Sequence, residues 1–334
     1  MSSTSSSNLS DKSKVTFPVR AARLSSNPQV SFGLPVWNAA KYLPRLFDSL
    51  LAQDFCDFEV VVSDNASDDR TPEICEEYIR LGLPLRYYRN SENIGQIPNF
   101  NRVLDLARGK YFRWIGSDDW LDASYTRKCV EQLDANPEIV GVTTYQDHVT
   151  DDGHRDYQEY NGERLDSPLP HVRFRRMVWF MTAHYGYIDP IYTMMRRDML
   201  MATHKIQPVP RMDQVLSVEI SLFGAFAHIP ECLAHRRREY LSRSVTSEEL
   251  SQRYQPGTTK NLVDPMLGVA EEFGRVVWTA PISMREKLLC MGAVIQFAWT
   301  RTGRRIFFQT RDFVRSVRRS LLLTRKKPTT PIVE

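Results

Sequence analysis

Cysteine is scarce in this chain. Its five residues, Cys56, Cys75, Cys129, Cys232 and Cys290, are odd in number, and no two lie closer than 19 positions. This spacing excludes a disulfide-stapled scaffold, offers no CxxC metal knuckle, and fits a reducing, cytoplasmic setting. Long apolar runs are missing too. The most apolar stretch, Leu288 to Trp299, covers 12 residues, short of the roughly 20 that a membrane-spanning helix needs, and predicts a buried helix instead. The Ser-rich start, MSSTSSSNLSDKSK, lacks the apolar core of an export signal and predicts a disordered leader over residues 1–28. No internal repeat of solenoid period is present.

Charge is unevenly placed. The 334 residues carry a net +4, but Arg301 to Glu334 holds ten Arg and Lys against Asp312 and Glu334, so this tail is +8 and the first 300 residues are −4. A nucleic-acid surface would spread its basicity over the domain; a local excess predicts a local anionic partner and no nucleic acid. With 42% hydrophobic and 25% charged residues, the chain is otherwise an ordinary globular protein, sized for one large domain with an appendage or for two domains.

From Gln29 onward short apolar runs alternate with amphipathic stretches. QVSFGLPV (29–36) reads as a strand, and Tyr42, Leu43, Leu46, Phe47, Leu50 and Leu51 share one helical face. FEVVVSD (58–64) has the continuous apolar character of a strand buried on both faces. Asp69 and Pro72 supply the cap and first turn of a helix over 71–81. LRYYR (85–89) predicts a third strand, Ile97, Phe100, Val103, Leu104 and Ala107 a third helix, and KYFRWIG (110–116) a fourth strand. The fold class is therefore α/β, a doubly wound, mostly parallel sheet with helices on both faces. Ligands of such sheets lie beyond the carboxyl ends of the strands. Three strands end in Pro35-Val36-Trp37-Asn38, Ser63-Asp64-Asn65 and Gly116-Ser117-Asp118-Asp119.

Adjacent carboxylates repel unless a cation or hydrogen bonds offset the charge. Asp118 and Asp119 point to a hard divalent ion, Mg²⁺ or Mn²⁺, whose remaining positions substrate phosphates fill; a solvated loop acid ahead of a helix start at Asp122 is the plainer alternative. Asp64 and Asn65 offer acceptors to a nucleobase or ribose and Trp37 a flat stacking surface, though each alone also reads as turn chemistry.

Together these blocks resemble the family 2 glycosyltransferases of GT-A fold. The resemblance rests on PVWNA (35–39), SDNASDDRT (63–71), NIGQIPNFNRVLDLARGKYFRWIGSDDW (93–120) and MDQ (212–214), and spans roughly residues 29–240. It implies inverting transfer of a hexosyl-type sugar from a nucleotide-diphosphate donor to an acceptor hydroxyl on a sugar, a lipid-linked molecule or a small molecule, in cell-surface polysaccharide or glycolipid synthesis. It implies a nucleotide pocket that includes Pro35, Trp37, Asp64, Asn65 and Asp118, a metal at Asp119 and Asp118, and Asp213 as catalytic base. Gly116 departs from the pattern where many members carry a first Asp, and Asn65 where many carry a second. Asp213 also reads as a plain helix-capping acid at a helix N-terminus.

Under the same resemblance the chain divides into the leader 1–28, a GT-A domain over 29–240 with a nucleotide-binding half (29–120) and an acceptor half (121–240), and a helical extension over 241–334. His184, Tyr185, Tyr187, Asp189 and Tyr192 become acceptor-side candidates, and His235-Arg236-Arg237-Arg238 with Arg243 a basic loop able to close over a diphosphate. Residues 304–321 segregate Ile306, Phe307, Phe313, Val314, Val317 and Leu321 from six Arg on a helical wheel, the composition of an interfacial helix on the anionic inner face of a membrane, or of a helix packed on the domain. A non-catalytic sugar-nucleotide binder or membrane adaptor is the competing function. A nucleotidyltransferase is less favoured, because Trp37-Asn38-Ala39-Ala40 stands where its Gly-rich phosphate loop would be.

Overall fold

The computed structural model describes residues 25–159, 162–183, 190–209, 211–237 and 265–300. The expected leader up to residue 24, the expected junction at 240/241 and the helix expected over 304–321 lie outside the described residues, as do His184, Tyr185, Tyr187, Asp189, Arg238 and Arg243.

The first half of the chain folds as its periodicity dictates. Strands β1 (Val30–Val36), β2 (Phe58–Asp64), β3 (Leu85–Arg89) and β4 (Tyr111–Trp114) alternate with helices α1 (Leu43–Leu51), α2 (Thr71–Arg80) and α3 (Gln96–Leu106). The four strands are parallel in the order β3-β2-β1-β4. Pro35 stands in register with Ser63, Val36 with Asp64, and Gly33 with Trp114, so the carboxyl ends of β1, β2 and β4 lie side by side.

The sheet then continues through β8 (Met194–Arg196), β6 (Ile139–Val149), β9 (Ala225–Arg237) and β5 (Trp120–Leu121), with β7 (Arg155–Gln158) paired to β6. Here the pairing is mixed. β8 runs antiparallel to both β4 and β6, β9 is parallel to β6, and β5 is antiparallel to β9. Helices α4 (Tyr125–Ala135), α5 (Pro170–Ala183), α6 (Arg197–Met201), α7 (Met212–Phe223) and α8 (Pro265–Thr279) complete the layers, with a last helix, α9, over 284–300.

Two apolar cores lie against the sheet, as alternation along the strands requires. Val30, Phe32, Leu34 and Val36 of β1 join Leu43, Leu46, Phe47 and Leu50 of α1 in one core. Phe112 and Trp114 of β4 join Val103, Phe174, Val215, Leu216 and Phe273 in the other. Gly33 permits the close approach of α3 on that second side: a Cβ there would stand 2.4 Å from the Phe112 ring and 3.0 Å from Val103.

The second core takes in the C-terminal helices. Val269, Phe273, Val276 and Val277 of α8 and Cys290, Val294 and Phe297 of α9 share it with α7. The 288–299 stretch is thus helical, as its composition predicts, but only one face is buried; Leu288, Leu289, Ile295 and Trp299 are exposed.

Candidate active site

The loops that leave β1 and β2 are stitched to each other. Asn38 N–H donates to Ser67 Oγ at 2.9 Å, Ala39 N–H to Thr71 Oγ1 at 2.9 Å, Ala40 N–H to Asp69 at 3.0 Å, and Asp68 N–H to Asn38 Oδ1 at 3.0 Å. Three of these satisfy loop amides between β1 and α1 that no strand or helix pairing reaches. Burial raises the Asp69 carboxyl, but hydrogen bonds from Thr71 and Ala40 outweigh it and hold the group below its ordinary range. Asn38 and Ala66 adopt left-handed backbone, φ 50° and 62°. Such conformations persist where surrounding contacts over-determine them, as at ligand-binding loops. Trp37 is left at the rim of this stitched surface, 59% exposed.

Asp64 is fully buried. Its carboxylate accepts Ser67 N–H at 2.9 Å, Ser67 Oγ–H at 2.5 Å and the Tyr87 hydroxyl, and Arg89 stands 3.6 Å away. Asn65 donates to Asn93 Oδ1 at 2.6 Å and Gly95 O at 3.3 Å, and accepts from Asn90 Nδ2 at 3.1 Å and Ile94 N–H at 2.8 Å. All four hydrogen-bonding positions of that amide are therefore occupied. Asn99 extends the network, accepting from Ser63 Oγ at 2.6 Å and donating to Ser63 O at 2.9 Å. Pro35, half-buried, lies beside Ser63 at the strand ends.

The end of β4 is tied to β1 by Ile115 N–H donating to Gly33 O at 3.0 Å. The chain then turns tightly: Asp119 N–H donates to Gly116 O at 3.2 Å, and Gly116 N–H returns to Asp119 Oδ2 at 3.2 Å. Glycine is what lets this turn close. A Cβ at 116 would stand 2.9 Å from Asp119 Oδ2 and 3.2 Å from Asp118 Oδ1. Asp119 is buried at 4% exposure. Burial and the adjacent Asp119 push the Asp118 carboxyl upward, with Arg236 and Arg237 opposing.

Arg236 arrives here through backbone pairing. Trp120 pairs with His235 across β5 and β9, which sets Arg236 beside Asp119, Nε to Oδ1 3.8 Å. Its guanidinium also lies over the Tyr192 ring at 4.4 Å. The 3-10 turn Pro190–Tyr192 packs on both β4 and α7, bridging the aspartate pair to the helix that carries Asp213.

Helix α7 is buried along its length from Val215 to Leu222, while Asp213 in its first turn is half-buried. Its far end is clamped. Arg173, itself buried, donates to Ser221 O at 2.8 Å, Leu222 O at 3.3 Å and Ser167 O at 2.7 Å, a cation where the helix dipole is negative. Midway, buried Glu219 accepts His204 N–H at 3.1 Å and lies 2.5 Å from His204 Nδ1. The one end of α7 left half-open therefore carries the carboxylate.

Among the described residues, two groups could take a metal. Asp118 and Asp119 are oxygen donors, desolvated and mutually repelling, and fit a hard divalent cation. Asp147, Cys232 and His235 offer ligand atoms within 4.8 Å of one another, but Arg155 already pairs with Asp147 at 2.9 Å and His235 Nδ1 with Asp147 at 2.6 Å. His235 precedes Arg236 on the strand and so points to the opposite face of the sheet from Asp119.

Asn90, Asn93 and Asn99 carry no site role by composition or periodicity, although they lie in or beside the third motif block. Their signal is the recurrence of amide side chains at short spacing just after a strand end. The run His235–Arg237, expected as a basic loop able to close over a diphosphate, is instead the end of strand β9.

Comparisons with known proteins agree with this architecture. The model of "Glycosyl transferase family 2" matches residues 31–202. A chondroitin synthase of Escherichia coli is 24% identical over 257 residues, 73% of this chain and 36% of that protein. An uncharacterized glycosyltransferase of Haemophilus influenzae is 27% identical over 219 residues, 63% of this chain and 65% of that protein. The chain thus spans between about a third and two thirds of the length of these relatives. Among solved structures, residues 1–349 of Staphylococcus aureus TarS in complex with UDP-GlcNAc superpose with a TM-score of 0.58 at 18% identity, covering 81% of this chain and 73% of that one. The mannosyltransferase PcManGT of Pyrobaculum calidifontis, in complex with GDP-Man and Mn²⁺, gives 0.51 at 15% identity, covering 84% and 75%. A mixed α/β sheet with this strand order, a stitched loop bed at its carboxyl edge and a family match over half its length make this chain a member of glycosyl transferase family 2.

Proposed function

We propose that the protein transfers a sugar from a nucleotide-diphosphate donor to an acceptor hydroxyl, with inversion at the donor carbon. The observation that carries this reading is the aspartate pair at the end of β4, one carboxylate desolvated and held by Gly116 N–H, with Arg236 beside it. That UDP, UDP-GlcNAc and GDP-Man occupy structural neighbours supports a nucleotide-sugar donor. Polysaccharide synthases among the relatives support a polysaccharide or glycolipid product.

In this reading Trp37 stacks on the nucleobase, and Pro35 with the loop bed shapes its pocket. Asp64 and Asn65 act from beneath, holding Ser67 and the 93–95 loop in place rather than meeting the ligand themselves. Asp118 and Asp119 hold Mg²⁺ or Mn²⁺, which when bound supplies Lewis-acid neutralisation of the diphosphate. Arg236 adds a second positive charge on the same side. The acceptor oxygen forms its bond to the donor carbon as the bond from that carbon to the diphosphate oxygen breaks; the diphosphate leaves with the electron pair. Asp213 takes the acceptor proton. One carboxylate suffices for a single displacement, and a single displacement inverts. The five cysteines, all free thiols, support a cytoplasmic setting for the reaction.

The test is a donor screen that measures nucleoside diphosphate release with Mn²⁺, with Mg²⁺ and with EDTA. Acceptor-dependent release that needs a divalent ion is expected. Absence of release with every uridine and guanosine donor, while those donors bind, would leave a sugar-nucleotide binder rather than an enzyme.

A further inference from the structure

Five exposed large hydrophobic residues among the described residues, Met284, Leu288, Leu289, Ile295 and Trp299, gather on α9. Met284, Leu288, Ile295 and Trp299, with Gly292 between them, recur at the spacing of a single helical stripe. Leu288, Ile295 and Trp299 are 63%, 65% and 80% exposed. Trp278, at the end of α8, is also exposed and is held to α9 by Lys287, which donates to Trp278 O at 2.6 Å with its ammonium near the indole ring. The outward direction of the stripe is set by packing, because Cys290, Val294 and Phe297 lock the opposite face into the core and Glu286 accepts His171 N–H at 2.8 Å. No charged residue occurs from Leu288 to Thr300. Single exposed leucines are ordinary, but a stripe of four large apolar side chains that ends in a tryptophan marks a surface that something covers.

We propose that this stripe docks the protein on an anionic lipid bilayer, lying in the plane of the interface. Charge selects lipid as the occupant. Ten Arg and Lys against two acids follow the stripe over residues 301–334. A second copy meeting stripe to stripe would bring two +8 segments together, whereas anionic headgroups complement them. Tryptophan rings suit the headgroup level, apolar in body and polar at one edge. No helix among the described residues is long and apolar enough to cross a membrane, so α9 would lie on the bilayer rather than span it. Docking here would fix the orientation of the α7–α8–α9 core relative to the membrane, whatever the acceptor proves to be.

The experiment uses the full chain. Flotation with vesicles of phosphatidylcholine alone and with added phosphatidylglycerol should show binding that needs the anionic lipid and weakens with salt. Ile295→Glu combined with Trp299→Glu should lower the partition at least about tenfold, with an unchanged melting temperature, since both side chains already face solvent. Wild-type protein on vesicles of brominated phosphatidylglycerol should lose tryptophan fluorescence, less so with Trp299→Phe. This arm decides the matter even if the double variant misfolds. The proposal is overturned if wild type does not bind anionic vesicles at low salt, or if it binds through the basic tail with no quenching and no effect of the substitutions. It is overturned too if light scattering shows a dimer that the substitutions dissolve while neither form binds vesicles.

Discussion

Arg236 Nε stands 3.8 Å from Asp119 Oδ1, and the backbone pairing of Trp120 with His235 sets that approach before any charge is considered. The cation is therefore built into the sheet and does not depend on a mobile loop. Arg236→Ala should weaken nucleoside diphosphate binding in the presence of Mn²⁺ by about tenfold or more, the worth of one charge-assisted hydrogen bond. Arg236→Lys should recover part of it. Calorimetric titration reads both, and an unchanged affinity in the alanine variant would remove Arg236 from the diphosphate site.

Asp213 sits at the half-open end of an otherwise buried helix, with Arg173 and Glu219 fixing the rest. Asp213→Asn should lower turnover by about 10² to 10⁴, the usual cost of losing a general base, and leave donor affinity nearly unchanged. Turnover at the wild-type rate would assign the proton transfer to another group.

Gly116→Ala tests whether the turn that holds Asp119 needs a position without a side chain. The new Cβ would meet Asp119 Oδ2 at 2.9 Å, so the carboxylate must turn away from the Gly116 N–H. Metal-supported nucleotide affinity should fall several-fold. Thermal unfolding should move little, because the displaced group is one flexible side chain. If affinity is unaffected, the orientation of Asp119 is unimportant for binding.

Arg173→Met should cost about 3 kcal/mol of stability, because it strips three carbonyl groups, those of Ser167, Ser221 and Leu222, of a buried charged donor. Denaturant midpoints measured with matched slopes would show it.

His228 gives a pH signature. Burial, with Arg164 adding, lowers its pKa from the ordinary 6.5 to about 4. The unfolded chain therefore binds a proton that the folded chain refuses between these values, and stability falls as pH drops from about 6.5 toward about 4 and levels off below it. His228→Gln should flatten that slope in melting curves taken across the range. An identical slope in the variant would assign the effect to other groups.

The first half of the fold was legible because each element there carries its own signal. The continuous run 58–64 became β2 (Phe58–Asp64), fully buried, and the four-apart pairs 42–51 became α1. The second half was less so. β5 has two residues and β8 three, too short for any periodicity, and the antiparallel insertion of β8 depends on partners far along the chain. The 288–299 stretch read as buried because its composition is apolar all round, whereas exposure depends on which face α7 and α8 leave uncovered. At the site, the positions of Asp118 and Asp119 follow from a strand end and a turn. The inward commitment of Asp64 to Ser67 and Tyr87 does not, since a sequence cannot say which way a strand-end carboxylate faces.

The sharing of one core by α7, α8 and α9 has a practical reach. A fragment ending near residue 240 would keep Asp64, Asp118, Asp119 and Asp213, yet it would strip Val269, Phe273, Val276 and Val277 from the side of α7. Greasy surface that the full chain never shows to water would be laid bare beside Asp213. Such a fragment should aggregate or swell rather than work, so the shortest version worth making runs at least through residue 300, and the reaction and the C-terminal helices must be inherited as one piece.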